Sequence, residues 1–191
     1  RDKGDCALRY SLTQHGQATL TWRFIKPDYI NTDLTTAVVY CPTIPSLARW
    51  YKHSHRMSWI EMARQLAVEE VIFCDDQDYL LESNQSNLFA LLGNELITPP
   101  FQNNFLPGIT RQALLDFASQ LNLRVVEQSI HLKKDYDALF LTSTLKELSY
   151  VKSIRYRGTI ITFDKHDYIK RWQKKFHQYL QSLSTSPINH Y

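Results

Sequence analysis

Four short stretches of this 191-residue chain carry side chains able to do chemistry. The run Phe105-Leu106-Pro107-Gly108-Ile109-Thr110-Arg111 sets a Pro-Gly turn directly before a helix-patterned segment, whose apolar positions are Ala113, Leu114, Phe117, Ala118 and Leu121. A helix start of this kind presents unpaired backbone N–H groups and the positive end of the helix dipole. It is therefore an anion site, usually for phosphate. Taken alone, the run is more simply a turn that begins a helix. Lys52 lies in Tyr51-Lys52-His53-Ser54-His55-Arg56, just ahead of an amphipathic segment. As a candidate amine it competes with Lys133, Lys134 and Lys146, and a surface lysine is the plainer reading. Glu82 leaves one strand and is followed by the polar turn Ser83-Asn84-Gln85-Ser86 and then Asn87-Leu88-Phe89. Leu141-Thr142-Ser143-Thr144 puts hydroxyls at the end of an apolar strand.

The elements that must position these groups follow from periodicity. Residues 7–13 and 19–25 read as two strands around His15-Gly16-Gln17, and 37–41 as a short buried strand. A helix is predicted over 55–67, with Trp59, Met62, Ala63 and Leu66 on one face. Strands follow at 70–74, 79–82, 87–92 and 95–98, with Asp75-Asp76-Gln77-Asp78 and Gly93-Asn94 as hairpin turns. The Gly108 helix leads to strands at 124–128 and 138–142. A hairpin spans 150–161 with Arg157-Gly158 at its turn, and a final helix runs over 165–183. Strands arrive in consecutive groups rather than in strict βαβ alternation, which predicts a mixed α+β fold and argues against a doubly wound one.

Bulk composition narrows the class. An apolar fraction of 43% and a charged fraction of 21% are those of a globular chain. A net charge of +3 is too mild to imply nucleic acid. The late basic residues Lys165, Lys170, Arg171, Lys174 and Lys175 read as the solvated face of a helix. Three widely spaced cysteines, Cys6, Cys41 and Cys74, form no CxxC pair and predict a reduced, cytoplasmic setting. No run is long enough to cross a bilayer, and no His/Cys/Asp cluster has metal-ligand spacing.

Taken in order, Lys52 with its helix, Glu82-x-x-x-x-Asn87-Leu88-Phe89, Leu106-Pro107-Gly108-Ile109-Thr110-Arg111 and Thr142-Ser143-Thr144 resemble the class IV aminotransferases. These are the pyridoxal-phosphate enzymes of fold type IV, which include branched-chain and D-amino-acid aminotransferases and 4-amino-4-deoxychorismate lyase. The resemblance implies a large, β-rich, cofactor-binding domain over 32–191, with flanking helices. Residues 1–31 become the last part of a smaller N-terminal α/β domain plus linker, so the chain is expected to begin inside that domain. It implies that Lys52 holds pyridoxal 5'-phosphate and moves protons at the substrate carbon, while Glu82 keeps the ring nitrogen protonated. Leu106 packs on the ring, Ile109 and Thr110 contact the phosphate, and Ser143 and Thr144 form a second contact loop. Arg111 reads as a structural ion pair at least as well as a phosphate ligand, and Asn87 as support for the turn after Glu82.

Within the family, Lys52-His53-x-x-Arg56 looks most like the lyases, and no tyrosine lies between His53 and Arg64 as it does in branched-chain enzymes. The leading expectation is thus a lyase converting aminodeoxychorismate to 4-aminobenzoate and pyruvate. Asn103-Asn104-Phe105 and Thr142-Ser143-Thr144 instead resemble the D-amino-acid aminotransferases, which makes a transaminase the alternative. An inactive member of the family is the second alternative. A small-molecule substrate and a homodimer are implied in either active case.

Overall fold

The structure is a computed structural model that describes residues 6–25, 30, 32–40, 56–101, 106–164 and 167–185. Strands β1 (Cys6–Leu12) and β2 (Ala18–Phe24) pair only with each other, antiparallel, with Leu8 opposite Trp22 and Tyr10 opposite Leu20. Alternation puts Leu8, Tyr10, Leu12, Leu20, Trp22 and Phe24 on one face of this ribbon, and all six stay exposed.

The remaining elements in chain order are β3 (Asp33–Tyr40), α1 (Arg56–Gln65), β4 (Glu70–Cys74), β5 (Tyr79–Ser83), β6 (Asn87–Leu92), β7 (Glu95–Thr98), α2 (Ile109–Phe117) and a 3-10 turn (Ala118–Leu121). After these come β8 (Arg124–Glu127), β9 (Ile130–His131), β10 (Ala138–Ser143), β11 (Glu147–Tyr156), β12 (Thr159–Thr162) and α3 (Asp167–Thr185). Six strands run in the order β6-β10-β11-β3-β4-β5, and β5 then pairs back onto β6 through Glu82 and Asn87. The ring closes there as a barrel, which removes two free edges at once. β7 and β8 continue outward from β6, β9 adds to β5, and β12 adds to β11. The expected mixed α+β class, with a β-rich body and flanking helices, is the architecture found.

The alternation of each strand builds two cores. One face places Leu34, Val38, Ile72, Cys74, Leu80, Leu88, Leu141, Val151 and Ile154 together inside the barrel. The other places Phe89, Leu91, Phe140 and Tyr150 against α2 and α3, where they meet Leu114, Phe117, Ile169 and Phe176. Each such fully buried side chain contributes about 1.5–3 kcal/mol of transfer free energy, so removing either helix would expose an apolar sheet face. α1 covers a third, smaller group through Ala63, with Trp59 and Leu66 half-buried against Val71 and Phe73.

Predicted and observed elements differ in instructive ways. Met62 faces outward, so the apolar stripe of α1 is narrower than its periodicity suggested. β11 begins at Glu147, three residues before the predicted hairpin, because a left-handed residue there (φ 55°) turns the chain straight back from β10. β9 has only two residues, too few for a periodic signal. The Arg157-Gly158 turn is as expected, with φ of 48° and 81°, a pairing that suits a tight two-residue hairpin. Among the described residues no helix is long and apolar enough to cross a membrane, and no group of three or more His, Cys, Asp or Glu could hold a metal.

Candidate active site

Glu82 sits where the barrel closes. β4 and β5 lose register between the pairs Ile72–Ser83 and Cys74–Leu80, so β5 carries one extra residue there. A bulge of this kind re-aims a side chain. Leu80 and Ser83 remain on the barrel-interior side with Ile72 and Cys74, whereas Glu82 pairs with Asn87 on the face that meets α2. The next strand continues that lateral row, because Thr142 of β10 lies opposite Asn87. Glu82, Asn87 and Thr142 thus form a polar row among apolar neighbours, all three at least nine-tenths buried. Among the described residues the Thr142 hydroxyl has no hydrogen-bond partner.

The α2 helix start is docked onto this row. The Leu106 N–H donates to Glu82 Oε2 at 3.4 Å, and the Asn87 side-chain amide donates to the Leu106 carbonyl at 2.9 Å. Asn87 therefore braces the approach to α2, rather than the turn after Glu82 as its position suggested. Gly108 caps α2 with φ −71° and ψ 131°, an extended geometry open to any residue. Its requirement is space: a Cβ there would lie 1.9 Å from Asn87 Oδ1. The cap supplies no side-chain acceptor, and the first intrahelical bond runs from Gln112 N–H to the Gly108 carbonyl at 3.1 Å. The N–H groups of the first turn are left for an anion.

Most of the residues expected at the site lie among the described ones. Leu106 is half-buried beside Glu82. Thr110 is buried, while the Ile109 side chain is 85% exposed, so Ile109 can offer an anion only its backbone N–H. Arg111 turns away from the helix start. Its guanidinium donates to Glu127 Oε1 at 2.7 Å and to the Pro99 carbonyl at 3.2 Å. It is an ion pair that ties α2 to the end of β8. Ser143 is half-buried and Thr144 exposed, at the β10–β11 turn. Ser143 Oγ accepts from the Lys146 N–H at 3.3 Å, which leaves the hydroxyl hydrogen free to donate. Lys52, His53 and His55 lie outside the described residues, as do Asn103, Asn104 and Phe105.

Two charged residues at this end of the barrel form a pair that the sequence reading did not foresee. Glu70, fully buried at the head of β4, accepts from Lys146 Nζ at 2.7 Å, and Lys146 is itself buried. Ser86 Oγ donates to the same carboxylate at 3.1 Å, and Ser83 Oγ donates to its other oxygen. A glutamate heading the otherwise apolar strand Glu70-Val71-Ile72-Phe73-Cys74 was the available signal, since a buried carboxylate demands a partner.

A family model for amino-transferase class IV matches residues 8–154. The chain belongs to the amino-transferase class IV family. Among class IV relatives, "Branched-chain amino acid aminotransferase 2, chloroplastic" of Humulus lupulus is 33% identical over 107 residues, 54% of this chain and 26% of that protein. A hypothetical aminotransferase from Mycobacterium tuberculosis, in a form with alpha-ketoglutarate and PMP bound, superposes with a TM-score of 0.76 at 18% identity, over 93% of this chain and 68% of the other. A Legionella pneumophila protein provisionally named 4-amino-4-deoxychorismate lyase superposes with a TM-score of 0.69 at 22% identity, over 88% of this chain and 65% of the other. These two superpositions show a shared class IV fold. The chain spans less than half the length of the curated relatives it matches.

Proposed function

We propose that this chain is the cofactor-binding part of a pyridoxal-phosphate enzyme that moves an amino group between an amino acid and a 2-oxo acid, of the branched-chain type. One observation carries the reading: the Glu82 carboxylate and an uncapped helix start are joined through Leu106 on a single buried polar row. That arrangement fits a molecule with a basic ring nitrogen at one end and a phosphate at the other. The unpartnered Thr142 hydroxyl fits a ligand on the same face.

When bound, the cofactor supplies an aldehyde for amine exchange and a ring that accepts electrons from the substrate carbon. The chain's own residues do the rest. Glu82, as a carboxylate, holds a proton on the ring nitrogen. Leu106 packs on the ring and limits water. The Ile109 and Thr110 N–H groups and the Ser143 and Thr144 hydroxyls hold the phosphate oxygens. Lys52 would hold the aldehyde end of the cofactor and would carry the proton at the substrate α-carbon.

The branched-chain relatives favour transamination over the lyase reaction that the lysine segment suggested. The test is turnover of L-leucine with 2-oxoglutarate, read as glutamate formed. A second reading keeps support from Lys52-His53-x-x-Arg56 and from the likeness to the Legionella protein. It is a lyase acting on aminodeoxychorismate, and release of 4-aminobenzoate with no glutamate formed would decide for it.

A further inference from the structure

The β10–β11 turn is gripped from two sides by consecutive residues. Lys146 reaches into the barrel end, where its ammonium meets Glu70 at 2.7 Å among Ser83 and Ser86. Glu147 points the other way and holds His177 Nδ1 of α3 at 2.8 Å and 3.0 Å. Between these grips the backbone adopts φ 55° at Glu147, a conformation that non-glycine residues hold only where surrounding contacts impose it.

Glu70 is equally tied to the turn that follows Glu82. Ser83 Oγ, bonded to Glu70, also accepts the Gln85 N–H at 3.1 Å and the Ser86 N–H at 2.8 Å. Asn84 is fixed to β4 both ways: its N–H donates to the Val71 carbonyl at 3.0 Å, and its Oδ1 accepts the Val71 N–H at 3.2 Å. One buried carboxylate therefore links the turn that follows Glu82 to the turn that carries Ser143 and Thr144.

We propose that the Glu70–Lys146 ion pair is a positioning device that sets the Ser143-Thr144 phosphate contacts at a fixed distance from Glu82, so that both ends of the cofactor are met at once. This rests on the cofactor reading above. Neither residue is among those assigned to hold the cofactor. Burying two charges costs desolvation that an apolar pair would avoid, so stability alone does not explain their retention at the junction of the two turns. Their geometry does, because an ammonium on a long stem fixes an exposed turn to the barrel interior. With Ser143 Oγ already accepting the Lys146 N–H, loss of that anchor frees the hydroxyl's direction as well as its position.

The test compares the purified protein with the double variant Glu70→Gln/Lys146→Met, which keeps side-chain length and an acceptor oxygen for one of Ser83 and Ser86 but removes both charges. The readouts are the dissociation constant for pyridoxal phosphate and the phosphorus NMR signal of the bound cofactor. The expected result is a thermal midpoint near that of the parent, a cofactor affinity weakened about tenfold, and a shifted or broadened phosphate resonance. Ser86→Ala, which removes one bond to Glu70 and leaves the ion pair, is expected to weaken affinity by a smaller factor, and Lys146→Arg, which keeps the cation, to stay near the parent. If the double variant does not fold, parental affinity and an unchanged phosphate signal in Ser86→Ala overturn the proposal. So does parental affinity and an unchanged phosphate signal in a folded double variant. A parent protein that takes up no pyridoxal phosphate brings down the cofactor reading itself, and this proposal with it.

Discussion

Asn87 and Gly108 are spatially interlocked: the Asn87 amide donates to the Leu106 carbonyl at 2.9 Å, and its Oδ1 occupies the place where a Cβ on Gly108 would stand. Since Asn87 is also the strand partner of Glu82 where the barrel closes, the helix start and Glu82 are both referred to one residue. Gly108→Ala should therefore be costly for a steric reason, as its φ of −71° suits alanine. A loss of about 1–3 kcal/mol is expected by denaturant unfolding. Asn87→Gly on the Gly108→Ala background should recover part of that loss, which a purely conformational penalty would not allow.

Glu82→Gln keeps an acceptor for the Leu106 N–H and removes only the charge. Its unfolding midpoint should stay close to that of the parent. Turnover should fall roughly 10²-fold, the scale seen when one preorganised electrostatic partner is lost. Equal turnover in the two proteins would remove Glu82 from its proposed place at the ring nitrogen.

Arg111 separates stability from binding. It is buried, and it joins Glu127 and the Pro99 carbonyl rather than facing the helix start. Arg111→Met should lower stability by about 2–4 kcal/mol through the stranded partners. Cofactor affinity per folded molecule should change less than twofold. A large loss of affinity without a loss of stability would make Arg111 a phosphate ligand instead.

Tyr150, buried under α3, has its phenol pushed up to about 12, chiefly by desolvation and further by the nearby Asp164 and Asp33 charges. The folded state holds this proton more tightly than the unfolded chain, whose phenol titrates near its ordinary value. The contribution is present in full below pH ~10 and fades as pH rises toward about 12. Unfolding stability should fall across that alkaline window, and Tyr150→Phe should flatten the fall.

Much of this architecture was legible from local pattern. The apolar strands at 70–74 and 87–92, the hairpin turns and the helix after Gly108 declare themselves because their period and turn residues act over short range. The barrel closure did not, since it rests on a bulge at Glu82 and a single pair to Asn87 that no periodicity records. In sequence Gly108 reads as half of a Pro-Gly turn, whereas the reason for glycine there is a neighbour twenty-one positions away. Glu70 and Lys146, seventy-six residues apart, became a pair only in three dimensions.

The most direct test of the account is a single-turnover reaction of cofactor-loaded protein with L-leucine, followed by quantifying the 2-oxo acid. The account predicts one equivalent of 4-methyl-2-oxopentanoate per bound cofactor, one equivalent of glutamate with return of the cofactor to its aldehyde form on adding 2-oxoglutarate, and no cofactor-dependent product from Lys52→Ala. No 2-oxo acid from the loaded protein, with either no reaction or release of 4-aminobenzoate from aminodeoxychorismate, would contradict it.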